Sequence, residues 1–130
     1  MLFRSVVAYY LGDEAQFTQP RSYQGLLEIT HFHLFAMGIL VLTMTHLLLF
    51  VPMANRRKAI VVSVAFGAAL TDEAAGWLVR FVSPAFAYLK VAGFVTLEVV
   101  LAFMIGAVLW AIFTVQPNDY RSSAPADDDD

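Results

Sequence analysis

The sequence predicts an all-α fold, an integral membrane helical bundle of three transmembrane helices with a short N-terminal hydrophobic helix. Three observations carry that prediction. The 130 residues are 59% hydrophobic, with a mean hydropathy of +0.66, whereas a soluble domain is about half apolar. Three stretches, at about 23–51, 59–82 and 84–115, reach the ~20 apolar residues that cross a bilayer core. The connections between them are short and polar or basic, as turns at a membrane surface should be.

Composition also removes whole classes of chemistry. With no cysteine, disulfides, thiolate metal sites, iron–sulfur clusters and covalently attached c-type haem are excluded. Histidine, carboxylate and methionine remain as ligands. The formal charge of -3 comes largely from Asp127 to Asp130, and no basic stripe points to nucleic acid. No signal peptide is visible, because the apolar stretch Ser5 to Leu11 is short and no small-residue cleavage site follows it. No nucleophile, phosphate loop or substrate pocket can be read, so the residues do not argue for an enzyme.

Met1 to Leu11 is apolar and aromatic with a single Arg4, long enough for about three helical turns and too short to span. It is read as an interfacial helix or as the end of a fourth span. Gly12 to Ser22 is a polar connection in which Ser22 can N-cap the next helix. Tyr23 to Val51 then forms one helix, stopped by Pro52. Asn55, Arg56, Arg57 and Lys58 form a compact basic turn, which marks the cytoplasmic side of a bacterial inner membrane. Ala59 to about Val82 is the second span, where Gly67 and Gly76 would admit close helix approach. Ser83-Pro84 restarts the chain, with serine as N-cap and proline at the first helical position. The third helix runs from Pro84 to about Val115. Residues 116–130 read as a disordered acidic tail on the cytoplasmic side with the basic turn. The whole of 1–115 is one transmembrane domain.

All three histidines lie in one span, within the run Thr30 to Pro52. Ionisable groups at membrane depth are rare and mark function, so this span holds the candidate site. At about 100° per residue Glu28 and His46 share an azimuth, with His31 about 60° to one side and Thr43 about 60° to the other. His33 is about 200° from His31, on nearly the opposite side. Counting depth from the helix ends places Glu28, His31 and His33 level with Asp72, Glu73 and Lys90, in one polar layer, with Glu98 nearer mid-span.

Three readings follow. In the first, His31 and His46 are axial ligands of haem b, for their separation of about 22 Å along the helix resembles the spacing at which membrane cytochromes b hold two stacked haems. The second axial ligand would come from Met104, from a second copy of the chain, or from another subunit. The second reading is a non-haem metal held by Glu28, His31 and Asp72, drawing on the Glu-x-x-His spacing of helical di-iron sites. The third is a polar core, Asp72 or Glu73 paired with Lys90 and joined by His33 and Glu98, that sets assembly or relays protons. The plain alternatives are an Asp72–Lys90 structural pair, Glu98 bonded to Thr43 or Thr45, packing roles for Phe35, Met37 and Met44, and interface anchoring by Trp77, Tyr88 and Trp110.

Leu27 to Met37 (LEITHFHLFAM), Thr71-Asp72, Gly76-Trp77-Leu78 and Ser83-Pro84-Ala85-Phe86-Ala87 together resemble a group of small uncharacterised bacterial multi-span membrane proteins. These carry a Thr-His-x-His-x-Phe motif on one span. The resemblance covers roughly Tyr9 to Val115 and implies that a further span precedes the histidine helix, of which Met1 to Leu11 would be the remnant. It strengthens the choice of His31, His33 and Asp72. The sequence thus points to a small inner-membrane redox or metal-binding subunit in contact with lipid, assembled as a homo-oligomer or within a larger complex.

Overall fold

Serines at two helix starts do what their positions require. In the computed structural model, which describes residues 1–114, Ser22 accepts a hydrogen bond from Gly25 N at 3.1 Å and opens the first long helix. Ser83 accepts from Ala85 N at 3.3 Å, with Pro84 directly behind it, where its missing N–H costs nothing. The described helices are α1 (Leu2–Leu11), α2 (Tyr23–Leu49), α3 (Asn55–Phe81) and α4 (Ala87–Thr114). The predicted third span therefore begins with a 3-10 turn, Pro84–Phe86, before α4 proper. The acidic tail falls outside the described residues.

The long helices, of 27, 27 and 28 residues, rise about 40 Å each at 1.5 Å per residue, more than a 30 Å hydrocarbon core. All three are apolar enough to span, and α1 is the short apolar helix beside them. The basic cluster differs from the expected turn. Asn55 to Lys58 form the first turn of α3, whose N-cap, Ala54, supplies no side-chain bond. Cations oppose the positive end of a helix. Lys58 escapes this by donating from Nζ to the Leu49 carbonyl at 2.6 Å, at the negative C-terminal end of α2.

Between α1 and α2 the chain makes a tight loop. Asp13 and Thr18 exchange both backbone bonds at 3.1 Å, and Asp13 Oδ1 accepts from Ala15 N at 2.9 Å. Gly12 enters it at φ 81, and a Cβ there would stand 2.5 Å from the Thr18 carbonyl, so only glycine fits. Arg80 Nε donates to the Arg21 carbonyl at 2.7 Å while the Arg21 guanidinium lies 4.4 Å from the centre of the Tyr9 ring. The two arginines at this end thus fasten the loop to α3 and α1.

The core has two parts. Toward the Arg56 end, Val41, Leu48, Ala65, Leu97 and Met104 have essentially no exposure and pack with Leu101 and Val108. Toward the other end, Tyr10, Leu26, Val79 and Ala87 form a second cluster. The α3–α4 contact is the most extensive, and α1 packs on both helices. Its closeness comes from Gly93, where a Cβ would stand 3.1 Å from Asp72 N and 3.3 Å from Asp72 Cα. Of the two glycines expected to bring spans together, Gly67 faces open space and Gly76 receives the Tyr10 ring of α1. Helix α2 is the least covered span, with 11% of its most apolar window buried against 28% for α3.

Candidate functional site: an internal polar cluster and an outward histidine face

The polar layer divides in two. Asp72 and Lys90 face each other across α3 and α4, with Lys90 Nζ donating to Asp72 Oδ2 at 2.7 Å and to the Asp72 carbonyl at 3.0 Å. Asp72 is 7% exposed, so the pair is largely out of solvent. Its other oxygen, Oδ1, is buried with no partner among the described residues, which leaves part of the desolvation cost uncompensated. The Tyr10 hydroxyl stands beside Lys90. Glu73, one residue on, approaches Thr30 and His33 of α2. These groups come from four helices, and of them His33 is exposed.

Trp77 ties α2 to α3 next to this cluster. Its Nε1 donates to Thr30 Oγ1 at 2.9 Å, and its ring meets Tyr23 edge-on at 5.5 Å and stacks on Phe81 at 5.7 Å. The tie fixes α2 against α3 beside Glu73. Trp77→Phe keeps the stacking and removes the donor, so it should destabilise by about 1 kcal/mol, the usual worth of one hydrogen bond, in denaturant unfolding of detergent-solubilised protein. Tyr88 is exposed, its ring 4.3 Å from Phe3, and Trp110 is exposed as well.

The other half of the layer points away. Glu28, His31, Thr43 and His46 share one face of α2, as their azimuths require, and that face is exposed. Each of the two histidines is held in the same way. His31 Nδ1 lies 3.3 Å from the Leu27 carbonyl and His46 Nδ1 lies 3.0 Å from the Leu42 carbonyl. A carbonyl only accepts, so in this arrangement Nδ1 carries the proton and Nε2 keeps its lone pair free. Glu98 is exposed on α4 and meets neither threonine. Thr43 donates instead to the Ile39 carbonyl at 2.8 Å, and the Thr45 hydroxyl is buried without a partner among the described residues.

Two ligand sets drawn from the sequence do not gather within one chain. Asp72 is turned inward onto Lys90 while Glu28 and His31 face outward from α2, and no group of three His, Asp or Glu residues among those described is close enough to hold a metal ion. Met104 is fully buried in the core, so it cannot reach His31 or His46 on the outside of α2. Met37 and Met44 pack against that core, whereas Phe35 is exposed. Spacing alone could not separate these fates, because azimuth on one helix does not say which side its neighbours occupy.

Three apolar spans closed around a buried ion pair define a polytopic helical membrane protein. The chain belongs to the Aq_1264_TM family, a transmembrane helical domain that matches residues 2–119 and so takes in α1 as well as the three spans. No curated protein and no solved structure matches it.

Proposed function

We propose that the protein is a small subunit of a bacterial inner-membrane redox assembly that binds b-type haem through His31 and His46. The arrangement of both rings carries this reading. A metal-bound histidine characteristically donates its second ring nitrogen to a carbonyl or carboxylate, which fixes the tautomer and raises the basicity of the ligating nitrogen. His31 and His46 both meet a carbonyl one turn back through Nδ1, and both lie on the exposed face of the least covered span. Since Met104 is buried, the opposing axial ligand comes from a second copy or another subunit. Arg56 and Arg57, both exposed, support a cytoplasmic placement of that end by the positive-inside rule.

Protein purified in mild detergent from haem-replete cells should show a Soret band and, on dithionite reduction, the α-band of haem b. His31→Ala or His46→Ala should each remove about half of the pigment, and the double variant all of it. A folded sample with no Soret band and no stoichiometric metal would sink the cofactor readings. What then stands is a non-catalytic subunit whose polar residues set assembly or relay protons. The Asp72–Lys90 pair and the outward Glu28 and Glu98, which face lipid unless another protein covers them, support that second reading.

A further inference from the structure

Helix α1 packs on α3 and α4 and leaves an open pocket of about 330 Å³ against α2. Leu2, Val6 and Ile29 make its apolar walls, and His33, Glu73 and Lys90 bring polar groups into it. A mostly apolar pocket with a few convergent polar groups is the usual form of a small-molecule site. The charges on its wall decide what kind of molecule it takes. Lys90 is held from behind by Asp72 Oδ2 and the Asp72 carbonyl, and its ammonium on the pocket side opposes a cationic ligand. Glu73 on the same wall opposes an anionic one. A neutral head with hydrogen-bonding oxygens, carried on an apolar tail, suits both walls and a pocket at membrane depth.

We propose that this pocket binds the head group of a lipid-soluble quinone or quinol. The His33 ring N–H donates to a quinone carbonyl, and Glu73 accepts from the quinol hydroxyl as a carboxylate or donates to the quinone oxygen as an acid. The tail leaves along Leu2, Val6 and Ile29. His33 lies on nearly the opposite side of α2 from His31, so this site does not depend on haem ligation and is tested on haem-free protein.

The test uses the full chain in lipid nanodiscs, with Trp110→Phe leaving Trp77 as the remaining one of two tryptophans. Trp77 is bonded to Thr30, which adjoins Glu73, so a ligand in the pocket should quench its fluorescence. Decylubiquinone and a short-tailed naphthoquinone are titrated. Saturable quenching is expected, weakened at least tenfold by His33→Leu and by Val6→Phe, which fills the pocket. If Val6→Phe fails to fold by circular dichroism, His33→Leu alone decides. Quenching that rises linearly as simple partition into lipid, or that both folded variants leave unchanged, overturns the proposal. Displacement of the quinone by equimolar palmitate or tetraphenylphosphonium also overturns it, in favour of an acyl chain or a lipophilic cation.

Discussion

Asp72→Ala is expected to destabilise the protein by about 3–5 kcal/mol, the cost of leaving a buried charge without its partner. Lys90 Nζ has its carboxylate oxygen at 2.7 Å and the pair is mostly enclosed, so solvent replaces only part of the contact for the stranded ammonium. The Asp72 carbonyl, at 3.0 Å, persists in the variant and moderates the loss. Equilibrium unfolding in mixed micelles measures the change. The double variant Asp72→Leu/Lys90→Met should recover most of it, because two apolar side chains in place of an ion pair remove both desolvation costs. If the double variant is as unstable as the single, the pair is not what holds α3 to α4, and packing around Gly93 is.

Gly93→Leu should cost about 1–3 kcal/mol or more, since its Cβ would already stand 3.1 Å from a backbone nitrogen that cannot swing aside. The helices would have to part at Asp72, so the ion pair should loosen as well. Gly67→Leu is the matched control. Nothing lies within 4 Å of its Cβ position, and a leucine there meets lipid, so its effect should stay within about 0.5 kcal/mol. The two substitutions are chemically identical and sit on adjacent spans. Equal effects in the same unfolding assay would contradict the close approach of α4 to α3 at Asp72.

Much of the fold was legible in the residues. Ser22 opens α2 and Ser83-Pro84 open the 3-10 turn that leads into α4, because capping depends on groups two or three residues away. The N-terminal residues Leu2–Leu11 form the short apolar helix that their composition calls for. The basic residues, expected as a turn, open α3 instead, and the reason is physical. Lys58 is tolerated at the start of α3 only because the end of α2 lies beside it, and a bond nine residues back is beyond local propensity. The bond that Trp77 makes to Thr30, 47 residues away, is likewise out of reach of a reading along one helix.

What the sequence determined by itself was the class of protein, its three apolar spans, and the existence of one face on α2 carrying Glu28, His31 and His46. Those follow from hydropathy, caps and the 3.6-residue period, all of which are local. Only the tertiary structure decided which way that face points, that Asp72 rather than Glu73 takes Lys90, that Gly93 and not Gly67 brings two spans together, and that α1 stands off from α2 around an open pocket. The reason is rotational. A uniformly apolar helix in lipid has no strong preference for which side it packs, so its orientation about its own axis is fixed by the few glycines, ion pairs and aromatic ties it shares with its neighbours.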